Sequence, residues 1–351
     1  MTPRNWARLL VVFILAVQVL PLSGDERRRA NPSVFGPRRY VPGLEGVTAL
    51  VAAPDGSVWF IPYQIFSYYN FVGHLSVDGT LLRTPIDDPG VAVTDSDGSL
   101  WLGAGKAIAR IHEGTPIAFF PRSGPISGIA SDRTGRIWFT DERQSRVGFV
   151  NVETATTTEF SLPESLASPR LISPGPDGSM WFVADTGRVG SVRADGIIEG
   201  YRFQELEEKP IHAVTSTPGA FWVAVGCRNC NNVFCPHAED HGLIVRITAD
   251  HVSQIVADLG HNDPYALAPG PSETVYALKT VLAVSLGGKA FSGPLLVIRP
   301  NGSIGVFDAG VPVGEVSGAC LATSPDGSVW GVYTGGGGGP VIFHFPAWQI
   351  R

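Results

Sequence analysis

The sequence predicts an all-β chain: a seven-bladed β-propeller of four-stranded blades, its ring closed by an N-terminal strand that pairs with the last blade. Three observations predict it. A short aromatic motif returns seven times, each copy is framed by turn signals, and Gly and Pro abound where charge is sparse. The 351 residues include 42 Gly and 28 Pro, and only 17% are charged. That balance is wrong for a helical bundle or a coiled coil. The 18 Phe, 8 Tyr and 8 Trp can bury ample apolar surface, which excludes a disordered chain. Against 26 basic residues stand 32 acidic ones, net −6, so the basic face of a nucleic-acid binder is missing. Four Cys are too few to frame a fold of this length.

Residues 1–24 read as a secretory signal. Arg4 and Arg8 precede the apolar run Leu9 to Leu22, broken only by Gln18, and the small residues Ser23 and Gly24 follow. The run falls short of the about 20 residues a membrane span needs. The expectation is a secreted or periplasmic protein, with no stable membrane insertion after cleavage; an uncleaved N-terminal membrane anchor is the alternative. Residues 25–33 read as a flexible leader and residues 34–351 as the propeller.

The repeat is clearest in Pro54-Asp55-Gly56-Ser57-Val58-Trp59-Phe60 and Pro176-Asp177-Gly178-Ser179-Met180-Trp181-Phe182. Its anchor aromatics are Trp59, Trp101, Trp138, Trp181, Trp222, Tyr276 and Trp330, spaced 37 to 54 residues apart. That is the period of a propeller blade. Within a unit, a short apolar first strand such as Leu171-Ile172 leads to the Asp-Gly turn, read as a type I′ hairpin. The Trp strand follows, then a third strand such as Arg146-Val147-Gly148-Phe149-Val150. A polar outer strand such as Thr158-Glu159-Phe160-Ser161 completes the blade. Short strands this regularly punctuated make sandwiches, barrels or propellers, and sevenfold repetition selects the propeller. The last unit has only three strands before Phe345-Pro346. Arg38-Arg39-Tyr40-Val41-Pro42 has the form of an outer strand, and pairing it with the last blade removes an exposed edge.

Gly175 to Phe182, with Arg146-Val147-Gly148 and Glu159-Phe160-Ser161-Leu162-Pro163, resembles the repeat of the virginiamycin B lyase (streptogramin lyase) family over about residues 45–345. The resemblance implies a seven-bladed propeller. It also implies an elimination that opens a macrocyclic ester, with His and Glu side chains and Mg²⁺ at the channel mouth. Of those site positions His212 matches. Asp263 stands for the family's Glu, Tyr265 for its second His, and Lys279 for its acid. A Lys there brings a cation where the Mg²⁺ charge belongs, which disfavours the same metal site.

The hairpin places the starts of first strands and the ends of Trp strands around one mouth of the channel. Arg170, His212 and Tyr265 come from consecutive units, with Asp141, Asp263, Lys279 and Tyr333 near. A convergent polar cluster of this kind is a candidate ligand site. His212, Asp263 and Tyr265 form the candidate catalytic set, with His212 as general base; Arg170, Asp141, Lys279 and Tyr333 form the candidate ligand-binding set. The bland alternative is a set of hydrogen-bonded channel residues. The expected function is binding of a small cyclic or polymeric ligand, with a small molecule or peptide as partner and the chain a monomer. The alternative is a lyase or lactone-opening enzyme using His212.

Long loops open onto the same mouth, one bearing Tyr63, Phe66, Tyr68 and Tyr69. Another carries Cys227, Cys230, Cys235 and His237. These four fit either one disulfide, Cys227–Cys235 or Cys230–Cys235, or a Zn²⁺ site. Cys320 reads as a small buried apolar residue.

Overall fold

Neighbouring residues of a β-strand face opposite ways, and that parity builds the ring. Trp59 packs against Leu100 and Leu102 of the following blade, while Phe60 packs against Trp330 and Ile342 of the preceding one. Trp181 likewise meets Phe221 and Val223 ahead, and Phe182 meets Trp138 and Phe149 behind. One dipeptide therefore supplies a large side chain to each of two blade interfaces. The core is divided into seven such clusters, each spanning two adjacent blades. Full burial of a side chain of this size is worth roughly 1.5–3 kcal/mol.

These packings come from a computed structural model that describes residues 38–40, 43–63, 70–122, 124–185, 187–226, 241–260, 262–279, 291–313, 316–335 and 340–350. The expected signal and leader lie outside the described residues, as do Phe66, Tyr68, Tyr69, Cys227, Cys230, Cys235 and His237. The strands form seven antiparallel sheets of four. In blade five, for example, Ile211–Thr217, Ala220–Val225, Leu243–Ile247 and Ser253–Asp258 follow in order from the channel outward. The last sheet draws three strands from the C-terminal end and its outer strand from Arg38–Tyr40. Arg38 lies opposite His344 and Tyr40 opposite Ile342, so the N-terminal strand closes the ring as expected. Tyr40 is buried, tilts against the Trp330 ring at 5.6 Å, and donates its hydroxyl to the Val77 carbonyl of blade one. One helical turn, Ala347–Ile350, follows, and its Ile350 caps the core between blades six and seven.

The Asp-Gly turns are not type I′. The Gly56 N–H reaches the Ala53 carbonyl at 3.1 Å, which leaves Pro54 and Asp55 as the central pair, and only Gly56 takes a left-handed φ, +85°. This is a type I turn closed by a bulged glycine. Pro54 suits it because its fixed φ is that of the first central position. Blades four and seven repeat the geometry. The Asp carboxylate then accepts from the Ser N–H two residues on, at 3.0 Å for Asp55 and 3.1 Å for Asp177. Asp177 also accepts the Trp181 indole N–H at 2.9 Å. The motif is thus a hairpin latch, not chemistry.

The third strands of blades one, three and four carry a glycine where the second-strand Phe crosses. A Cβ on Gly190 would lie 2.3 Å from the Phe182 ring. Gly190→Ala is expected to lower stability by about 1–3 kcal/mol through overpacking, read from urea unfolding. An unchanged midpoint would show that the ring has room to shift.

Candidate functional site

Six of the seven first strands slip register near their start against the second strand. The skipped positions include Thr48, Val91, Arg170, His212, Tyr265 and Ser317, and among them are the three first-strand residues, Arg170, His212 and Tyr265, that the sequence placed at the mouth. A bulge re-aims its extra side chain out of the pleat. In blade one, and in blade three, whose first strand keeps its register, the contacts at this position are only local. Thr48 Oγ1 donates to the Ile61 carbonyl at 3.3 Å, and Ser127 Oγ accepts the Glu142 N–H at 3.2 Å.

Blades four to six present something different. The His212 imidazole stacks on the Tyr265 ring, 4.7 Å between centroids and 29° between planes. Its Nε2 lies 3.8 Å from Asp263 Oδ2. Gly226, just past the second strand, makes the space: a Cβ there would sit 2.2 Å from His212 Nε2. Burial holds the imidazole below its ordinary pKa; Asp263 opposes that shift and Arg170 reinforces it. With the ring kept neutral, the approach to Asp263 is a dipole contact outside hydrogen-bond distance. Arg170 is anchored through its backbone, whose carbonyl accepts from Thr140 Oγ1 at 2.8 Å. Its exposed guanidinium stands 3.9 Å from both Glu142 and Asp185. Lys279 ends the second strand of blade six, opposite Pro264 and so beside Asp263.

The structure therefore brings Arg170, His212, Asp263, Tyr265 and Lys279 to one arc of the mouth. It places two other predicted residues elsewhere. Asp141 is fully buried 3.7 Å from the guanidinium of Arg122, itself buried over the Phe139 ring. Tyr333 is buried between blades six and seven, donates to the Pro294 carbonyl at 3.3 Å, and has its phenol pKa raised by burial. Glu142 and Asp185 were missed, although each lies just past the end of a Trp strand, where a mouth residue should be sought. Arg122 gave no such signal. Cys320 lies in a first strand, and burial pushes its thiol up to about 12, as a small packed residue requires.

Mg²⁺ demands near-octahedral oxygen ligation. Beside His212 the donors are one carboxylate, Asp263, with Arg170 and Lys279 adding cations. Among the described residues no three His, Cys, Asp or Glu side chains form a metal-binding group. The residues present at this arc do not fit the family's metal.

Burial also lowers the pKa of His74. The unfolded chain would take up these two protons near the ordinary pKa of about 6.5, and the folded chain only at lower pH. Stability from both is therefore complete above that pH and is lost as pH falls through the folded values. The expected result is a lower Tm at pH 5.5 than at 7.5. The gap should narrow in a His74→Gln, His212→Gln double variant; an equal gap would assign the slope to other groups.

Among the described residues no helix is long and apolar enough to cross a membrane. The sequence model of the virginiamycin B lyase family matches residues 42–233. No curated protein matches the chain by sequence. A streptogramin B lyase structure superposes with a TM-score of 0.68 at 18% identity, over 89% of this chain and 98% of that one. A catalytically inactive virginiamycin B lyase from Staphylococcus aureus, with quinupristin, gives 0.66 at 17% identity, over 88% and 99%. The extracellular domain of a hybrid two-component system from B. thetaiotaomicron gives 0.59 at 11% identity, over 88% of this chain and 39% of that one. At such identities the superpositions establish a shared fold and nothing of the chemistry.

Proposed function

The chain belongs to the virginiamycin B lyase family, and from that premise we propose that it is an exported, monomeric propeller that binds a small cyclic or polymeric ligand at the mouth lined by Arg170, His212 and Tyr265. The observation that carries the reading is the His212–Tyr265 stack at 4.7 Å, a flat π surface flanked by an exposed guanidinium. Such a wall grips an apolar ring face and a carbonyl or carboxylate together. Export rests on the apolar run behind Arg4 and Arg8. Two features favour binding over the family's elimination: His212 has no carboxylate within hydrogen-bond distance among the described residues, and the donors do not fit Mg²⁺.

A second reading rests on the neutral imidazole. A buried, uncharged His212 is already in the form a general base needs, and base contacts often tighten only when substrate binds. In that reading Nε2 takes a proton from carbon, the neighbouring ester C–O bond breaks, and a carboxylate leaves with total mass unchanged.

The test incubates the purified chain, with and without Mg²⁺, with cyclic depsipeptides, lactones and oligosaccharides. Calorimetry reads binding and mass spectrometry reads products. The expected result is binding without chemical change, weakened roughly tenfold or more in His212→Ala. Ring opening at unchanged mass, lost in His212→Ala, would replace the binding reading with the lyase. No binding by the folded chain to any of the three classes would overturn both.

A further inference from the structure

We propose a second ligand site at the opposite mouth of the channel, for a small polyhydroxylated molecule of monosaccharide size. A cavity of about 670 Å³ lies where the first strands end and the hairpins turn. Thr217 of blade five lines it, five residues along the same strand from His212, so the two sites are about 17 Å apart at ~3.3 Å per residue. It shares no lining residue with the arc of Arg170, His212 and Tyr265.

Three features mark this cavity as a built site. Asp95 is a buried carboxylate, 8% exposed, in its wall. Its Oδ1 accepts from Ser131 Oγ at 3.0 Å and from the Ser96 N–H at 2.8 Å, which leaves Oδ2 to accept from a ligand. Ser324, also in the lining and 2% exposed, has a hydroxyl with no hydrogen-bond partner among the described residues, and so has Thr323 beside it. A buried hydroxyl left unpaired costs free energy that a ligand hydroxyl can recover.

The third feature is Arg133. In the hairpins of blades one, four and seven, Pro54, Pro176 and Pro325 hold the corresponding position, with φ fixed near −65°. In blade three an arginine stands there, lines the cavity, and takes φ +59°. Left-handed backbone at a non-glycine costs about 1 kcal/mol; nine other non-glycine residues among the described ones also take it, so what distinguishes Arg133 is a cation at the cavity wall in place of proline.

The chemistry of these groups selects the ligand. Asp95 only accepts, Arg133 only donates, and the Ser324 and Thr323 hydroxyls do both. A molecule dense in hydroxyls satisfies all four at once, whereas a simple anion leaves Asp95 opposed and a simple cation leaves Arg133 opposed. Pro54, Pro218, Pro269, Pro271 and Pro325 add apolar ring faces around the same space, suited to the C–H face of a sugar.

The test is saturation-transfer NMR and calorimetry on the full chain with glucose, galactose, N-acetylglucosamine, trehalose and myo-inositol. Binding of at least one is expected, roughly tenfold to a hundredfold weaker in Arg133→Gly, the loss of a charge-assisted hydrogen bond. That variant should raise Tm, because it relieves the strained φ; a variant that folds better and binds worse separates the site from the fold. Ser324→Ala should weaken binding with Tm kept, and His212→Ala should leave it unchanged. No transfer from any of the five, equal affinity in Arg133→Gly, or loss in His212→Ala would overturn the proposal. Binding only of chloride or phosphate, or only of an alkylammonium ion, would overturn the ligand class.

Discussion

A chain lacking residues 1–42 is expected to lose its cooperative melt and to aggregate. The deletion strips the outer strand from the last blade, so the backbone groups of Val341–Phe345 that pair with Arg38–Tyr40 face solvent. An open strand edge is a template for other chains. The deletion also removes Tyr40, whose ring fills the interface between the last blade and the first and whose hydroxyl holds the Val77 carbonyl across it. Tyr40→Ala alone is expected to cost about 3 kcal/mol, the usual scale for truncating a buried aromatic. Circular dichroism melts and size-exclusion chromatography check both variants. A truncated chain that stays monomeric with an unchanged Tm would show that packing of blade seven on blade one holds the ring without the closing strand.

The second large effect is expected from the Arg122–Asp141 pair. Asp141→Ala leaves Arg122 buried with only Glu159 to answer its charge. Breaking a buried pair from one side costs about 3–5 kcal/mol, and the remaining partner places this case at the low end. Replacing the two together, Arg122→Leu with Asp141→Leu, is expected to recover most of the loss, because the pair sits in apolar surroundings over Phe139. Urea unfolding of the two single variants and the double variant measures the coupling. Additive losses would mean that each charge is stabilised independently. The experiment also separates the two roles of Asp141: a residue holding the wall of blade three should change stability and leave ligand affinity at the mouth alone.

The architecture was legible because it is written locally and often. Trp–Phe neighbours, repeated at blade spacing, name both interfaces of a blade, and an orphan strand at the start matches a vacancy at the end. Pro54 decides the turn type. Asp-Gly alone points to type I′, but a proline two residues before the glycine sets the first central φ of a type I turn. The site was legible in position and less so in direction. Strand starts and ends do ring the mouth, yet strand parity decides whether a given end residue faces the channel or the blade interior. Asp141 and Tyr333 fall on the inward side. Arg170, His212 and Tyr265 were found because a bulge turns each of them outward, and no residue type in a single sequence announces a bulge. The cavity of the other mouth is not legible in the sequence because its lining is drawn from strand ends and hairpins, which read as punctuation.

The pairing of Arg38 with His344 also governs timing. These two residues are about 300 positions apart, so the first of the described strands to be made is the last to find its place. Blades one to six can assemble by neighbour contacts as the chain lengthens, but each intermediate is an arc with two raw ends. Loop closure over such a span is entropically slow, and long-range strand pairing sets the pace of folding. A chain interrupted before Val341 has no partner for its own beginning. Synthesis through Phe345, more than the strength of any one blade, therefore decides when the ring ceases to be vulnerable to proteases and to its own copies.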